Sequence, residues 1–187
     1  MRSIIESPWY SSALGIALTV ALMAVAAANA FDVMSATAMT VRALHVLAAM
    51  VWAGLIVFVN FVQLKALNAV SEAERPLIVR HIASPTGRLF TAAAHATLAT
   101  GAIMLLAVGA DVHHRMLLML AVAGGLAMWA IVQFILRPNV ARVTGRVAAS
   151  DAEKAAARIS IATWARINLV LVVPVSVAML VAAHAGL

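Results

Sequence analysis

The chain has 187 residues, 65% of them hydrophobic and 11% charged, and a mean hydropathy of +1.03. That balance excludes a soluble globular domain and describes a single polytopic membrane domain. With no cysteine in the chain, disulfides, thiolate ligands, iron–sulfur clusters and covalent CxxCH haem attachment are also excluded.

A hydrocarbon core about 30 Å thick takes about 20 helical residues per crossing, and five segments of this chain qualify. The expectation is an all-α polytopic membrane helix bundle spanning residues 1–187. Residues 1–37 form a peripheral first helix with its outer loop, and residues 38–187 form a four-helix core. The strict alternation of a transmembrane β-strand is absent.

The first segment, near Ser11–Ala30, is made of small and apolar residues without buried charge. Arg2, the apolar run and Ala28-Asn29-Ala30 before Phe31 resemble a cleavable secretory signal. A retained helix gives a consistent topology and is the reading adopted. The second segment, near Thr40–Lys65, carries a polar stripe. At 100° per residue, His45, Trp52, Ile56 and Gln63 fall within about 20° of one line, with Asn60 about 60° away. Polar groups in hydrocarbon are costly, so this stripe should face the bundle interior or a bound group.

In the connection that follows, Ser71 and Glu74 have the spacing of a capping box, which predicts a short interfacial helix. Pro85 and Gly87 are expected to mark the turn into the third segment, near Leu89–Gly109. Arg88, Thr91, His95 and Ala102 share one face of that segment. His95 therefore ligates a second group, relays protons, or is held by Thr91 or a neighbouring helix. His113 and His114 lie in the short connection to the fourth segment, near Met116–Leu136, which Pro138 is expected to end. Ser150 and Glu153 repeat the capping-box spacing and begin a helix that runs into the fifth segment, near Thr163–Ala183. Arg166 and His184 share a face of that helix, and Pro174 between them should kink it. Trp52 with Val62-Gln63, and Trp129 with Val132-Gln133, form a weak internal echo.

The net charge of +6 is not a nucleic-acid signal. Lys65, Arg75, Arg80 and Arg88 surround the second connection, and Arg137, Arg142, Arg146, Lys154, Arg158 and Arg166 the fourth. The first and third connections hold only Asp32 and Arg42, then Asp111 and Arg115. By the positive-inside rule this places the N-terminus in the cytoplasm and the C-terminus outside. Topology accounts for the charge, and no nucleic-acid partner is needed.

A buried imidazole beside an indole, without cysteine, points first to noncovalent haem b. His45 is the first candidate axial ligand. His184, at the same outer face, is the favoured second, with His113 or His114 as alternatives. His45 and His95 differ by about 10 Å or more along the membrane normal and do not suit one haem. Trp52 would pack on the macrocycle, and Arg42 or Arg115 would meet the propionates. The methionines are read as packing residues. No Walker loop or nucleotide fingerprint is present, and the four core segments carry no Asp or Glu.

Three motifs, HVLAAMVWAGLIVFVNFVQ, ILRPNVARV and ARINLVLVVPVSVAMLVAAHAG, give a resemblance over roughly residues 38–187. They resemble the membrane domain of bacterial membrane-bound urate oxidases, the PuuD-type urate hydroxylases. The matching positions include His45, Trp52, Gly54, Asn60, Phe61, Val62, Gln63, Pro138, Asn139, Arg166, Asn168, Pro174, Met179 and His184. The helix-two motif alone also resembles HemJ-like protoporphyrinogen oxidases and CopD-like copper proteins. Arg137 stands where the urate-oxidase pattern has Trp, and Val140 where it has Gln. The chain also lacks the extra helices and the c-type cytochrome of that family. The resemblance implies a related membrane scaffold associated with haem.

Three functions follow as expectations. The first is a haem b protein in the lipid bilayer that passes electrons, with a cytochrome or other membrane redox partner, or a second copy in a homo-oligomer, beside it. The second is an oxidase of a heterocycle such as urate or a porphyrinogen. It would need an external electron acceptor and a cleft with polar residues such as Asn60, Gln63 and Arg88. The third is a haem-free structural or assembly subunit, with Ala92-Ala93-Ala94 and Gly124-Gly125 as helix-packing surfaces.

Overall fold

Long apolar runs must satisfy their backbone hydrogen bonds internally, and every described stretch of this chain does so by forming helix. The computed structural model of the protein describes residues 7–30, 33–108 and 115–184, and no strand occurs among them. Five helical rods are long and apolar enough to cross a membrane: Pro8–Val25, Ala36–Ala69, Arg75–Leu106, Arg115–Val143 and Asp151–Ala183. The protein is therefore a multi-pass, all-helical membrane protein.

Contacts divide the chain into two units, Met1–Leu44 and His45–Leu187. The first contains α1 (Pro8–Ala30) and the opening turns of α2 (Val33–Phe58). None of the apolar window of α1 is buried, and Trp9, Leu18 and Leu22 are exposed. Arg42 belongs to this unit and is exposed.

The second unit carries the core. Beyond α2 come a π-helical turn, Val59–Gln63, and α3 (Leu64–Ala69), all one rod. The next rod joins α4 (Arg75–Ile78), a π turn at Val79–Ala83 and α5 (Ser84–Val108). The fourth rod joins α6 (Arg115–Ala130), a π turn at Ile131–Leu136 and α7 (Arg137–Val143). The last is α8, Asp151–His184. At 1.5 Å per residue its 34 residues reach about 51 Å, well beyond a hydrocarbon core of about 30 Å, so its charged first turns extend past the apolar region.

Neighbouring rods run antiparallel. His45 meets Thr97 while Arg75 meets Leu67, and Asn139 meets Ser160 while Gly124 faces Val175. The two connections between these rods, residues 70–74 and 144–150, thus lie at one end of the unit, here the basic end. Trp52, Ile56, Phe90, Ala94, Met128, Val132 and Ala165 form the buried core between them.

The box at Ser150 forms in full, its hydroxyl also accepting from the Glu153 N–H at 3.3 Å, whereas at Ser71 only the glutamate half forms, the Glu74 N–H donating instead to the Ser71 carbonyl oxygen at 3.2 Å. The Ser71 N–H and hydroxyl donate to Glu74 Oε2 at 3.1 and 2.7 Å, and those of Ser150 donate to Glu153 Oε2 at 2.7 and 2.8 Å. The box at Ser150 starts α8, as the spacing predicts. The box at Ser71 does not start a separate interfacial helix: α4 runs directly into the third span.

Two further expectations are corrected. Pro85 and Gly87 do not form a turn but lie inside α5, and Pro138 does not end the fourth span but lies inside α7. Proline lacks an N–H, and its ring collides with the carbonyl four residues back in an α-helix. Here each proline follows a π turn. The residue just before it donates five residues back, Ser84 to the Val79 oxygen and Arg137 to the Val132 oxygen. The wider turn re-aims the carbonyls, so each rod passes its proline without breaking.

Candidate functional site

A cavity of about 500 Å³ opens between the four rods in the basic half of the second unit. All three π turns line it: Val59, Asn60 and Gln63 from the first, Val79 and Ala83 from the second, Val132 and Leu136 from the third. A π turn inserts an extra residue per turn and widens the helix locally, a feature concentrated at functional sites. From Ile56 to Asn68 on the second rod the lining runs 12 residues, about 18 Å along the axis. Ile56, Val59, Phe90, Val132 and Leu136 make its walls largely apolar.

The charge of the lining is one-sided. Six arginines, Arg75, Arg88, Arg137, Arg146, Arg158 and Arg166, line the cavity, and no aspartate or glutamate does so among the described residues. Arg75 pairs with Glu72 and donates from Nε to the Leu67 oxygen at 3.3 Å. Arg146 donates from Nε to Thr144 Oγ1 at 3.1 Å. Arg88, Arg137, Arg158 and Arg166 have no acceptor among the described residues. All four are exposed, and together they give the pocket a positive potential beside its apolar walls.

Two asparagines bridge neighbouring helices in the same way, and the first of them lines the cavity. Asn60 Nδ2 donates to the Ile56 oxygen at 2.8 Å and across to the Ala165 oxygen at 3.1 Å. Asn139 Nδ2 donates to the Ile135 oxygen at 2.9 Å and across to Ser160 Oγ at 3.1 Å. In the second set Arg142 donates to Asn139 Oδ1 at 3.0 Å. In the first, Asn60 Oδ1 is buried without a donor, and so is Gln63 Oε1. Asn168 is wholly buried, and neither of its side-chain polar atoms has a partner among the described residues.

His95, Arg88 and Thr91, one stripe in the sequence, all line the cavity. His95 Nδ1 lies 2.7 Å from the Thr91 oxygen, so it carries the proton and donates. The ring meets Trp129 edge-on, centroids 6.0 Å apart at 88°. Asn60, Gln63 and Arg88 are thus brought together around one cavity.

His45 lies toward the other end of the unit and does not line the cavity. Its Nδ1 donates to the Thr97 oxygen at 3.0 Å and lies 3.1 Å from Thr100 Oγ1. Its ring packs on Gly101, where an added Cβ would sit 3.0 Å from Cε1. Trp52 is buried in the core, with Nε1 unpartnered. Arg115 is exposed at the start of α6. His113 and His114, and the side chain of His184 at the end of α8, lie outside the described residues.

Sequence reasoning missed Arg75, Arg137, Arg146 and Arg158 as lining residues, having assigned the basic charge to topology alone. Arg137 carried a readable signal, an arginine directly after the apolar run Ile131–Leu136. Comparison with known proteins adds nothing further: no family model, curated protein or solved structure matches this chain.

Proposed function

We propose that the protein is a bacterial inner-membrane protein that binds a small anionic ligand in the arginine-lined cavity, and that it acts there as an oxidase. Its N-terminus is cytoplasmic and its C-terminus periplasmic, so the cavity opens toward the cytoplasm; the basic connections support this orientation. The ligand class follows from four unpaired arginines and no carboxylate in the lining. A volume of about 500 Å³ falls in the range of small-molecule sites. The reaction class comes from the resemblance to the urate hydroxylases: an anionic heterocycle such as urate or a porphyrinogen is oxidised, and an external acceptor, a cytochrome or other membrane redox partner, removes the electrons.

Calorimetric titration of the detergent-purified protein with urate and with coproporphyrin tests the reading. At least one anion binds, and Arg88→Gln with Arg137→Gln weakens it at least tenfold. Equal binding of an uncharged analogue, or no binding of either anion, overturns it.

A second reading, electron transfer through haem b, is favoured by one observation. The Thr97 oxygen fixes the His45 proton on Nδ1 and leaves Nε2 as the lone-pair nitrogen, the arrangement that prepares a histidine for an axial position. His184 remains the proposed second ligand. Oxidised and dithionite-reduced spectra of wild type and His45→Ala decide it. Sharp α and β bands lost in the variant support it, and a wild type without a Soret band ends it.

A further inference from the structure

Arg166 borders two spaces. It lines the cavity, and it also borders a shallow apolar groove on the outside of α8 formed with Thr163, Ile167, Val170 and Leu171. These positions follow the i, i+3, i+4, i+7, i+8 spacing of one helix face, about 12 Å long. The groove runs along the surface of α8 alone and is open along its length. Arg166 stands within the apolar part of the chain, exposed and without an acceptor among the described residues. A cation so placed needs an anion more than a cation in water does.

We propose that Arg166 clamps an anionic lipid of the bilayer, with its phosphate at the guanidinium and the cavity mouth and one hydrocarbon chain along the groove of α8. The proposal rests on the reading that the cavity accepts anions, and it adds an amphiphile as an occupant. Charge complementarity selects the headgroup: Arg158, two turns earlier on α8, adds a second cation at the same cavity, and no carboxylate opposes them. The groove selects the chain, because it offers apolar side chains and a single threonine. Lipid and soluble anion then share Arg166, so the lipid competes with the ligand of the cavity.

Native mass spectrometry of the full-length protein, released from bilayers of phosphatidylglycerol and phosphatidylcholine mixed equally, tests this. Wild type retains phosphatidylglycerol at least fivefold over phosphatidylcholine. Arg166→Gln abolishes the preference, and Val170→Trp, which fills the groove but keeps the charge, reduces retention of both lipids. Full retention in Val170→Trp overturns the chain position, and an unchanged preference in Arg166→Gln overturns the clamp. Inorganic phosphate that competes as well as the lipid shows a headgroup site alone and overturns the amphiphile. Urate or coproporphyrin binding measured on the same samples separates the two ideas. Soluble anion binding without lipid preference defeats this inference only, and absence of both defeats it together with the reading beneath it.

Discussion

Asn60 on the second rod donates from Nδ2 to the carbonyl oxygen of Ala165 on α8 at 3.1 Å, joining positions 105 residues apart in the chain. The same amide group donates to the Ile56 oxygen within its own helix, so both of its hydrogens are used. The bond crosses the wall of the cavity at the π turn.

Interhelical hydrogen bonds in membranes average about 0.6 kcal/mol and reach about 1.7. Asn60→Ala should therefore lower stability by about 1 kcal/mol and leave the protein folded. Unfolding followed in mixed SDS micelles checks this. A loss of several kcal/mol would mean that Asn60 holds more of the cavity than this one crossing.

The spans were legible because an apolar run of membrane length has few alternatives. The capping boxes were legible because Ser71 with Glu74, and Ser150 with Glu153, encode a purely local hydrogen-bond pattern. Pro85 and Pro138 misled for the converse reason. A proline forbids the ordinary α-helical bond, but whether the chain breaks or widens into a π turn is decided by packing of the whole rod. The stripe of Arg88, Thr91 and His95 was visible as a helix face, and so was the set of Asn60 and Gln63. That these faces converge with Arg137 and Arg158 on one cavity depends on which rods are neighbours, and no local pattern in the chain records that.

Gly101 reads how firmly His45 is held. A methyl group there would meet the imidazole at 3.0 Å from Cε1 and 3.4 Å from Nδ1. The ring is held by Thr97 and Thr100 and has little freedom to yield. Gly101→Ala should cost about 1–3 kcal/mol, the ordinary range for overpacking. Adding His45→Ala should recover most of it, because the clash then has no partner. A double-mutant cycle in SDS unfolding gives the coupling, and additive effects would show that the ring moves aside freely.

The adjacent glycines Gly124 and Gly125 should behave oppositely. A Cβ on Gly124 would lie 2.5 Å from Val175 Cγ2, whereas one on Gly125 meets nothing within 4 Å. Gly124→Ala should thus force α6 away from α8 and cost about 1–3 kcal/mol. Gly125→Ala should be neutral or slightly stabilising, since alanine is the better helix former. Val175→Ala should rescue the first variant and leave the second unchanged. Equal effects of the two alanines would contradict the assignment of faces.

Glu74 predicts a local pH response. The Ser71 hydroxyl, and then the Ser71 N–H, hold its carboxylate below the usual glutamate range. Because the folded value is the lower one, the contribution is fully present above the unfolded value of about 4.3 and is lost as pH falls through the folded value. The first turn of α4 should fray in that window while the spans remain intact. Amide exchange at residues 71–78 between pH 6 and 3 reads the change, and Glu74→Gln should flatten it. Protection factors at these residues that do not change with pH in the wild type would show that the box does not order this turn.

Arg137 gives the sharpest test of what the cavity does. It lines the cavity and has no acceptor among the described residues. A charged hydrogen bond to a ligand is worth about 1.5–3 kcal/mol, of which salt screening at a partly open site removes a share. Arg137→Trp should therefore weaken binding of urate or coproporphyrin by about tenfold. Arg80→Gln removes one charge of the same sign from an exposed residue outside the lining, and should change binding by less than about twofold. If both variants weaken binding equally, the arginines act only through the long-range field of the basic end. If Arg137→Trp binds as tightly as wild type, its guanidinium does not face the ligand, and the anion site must be drawn around Arg88, Arg158 and Arg166 alone.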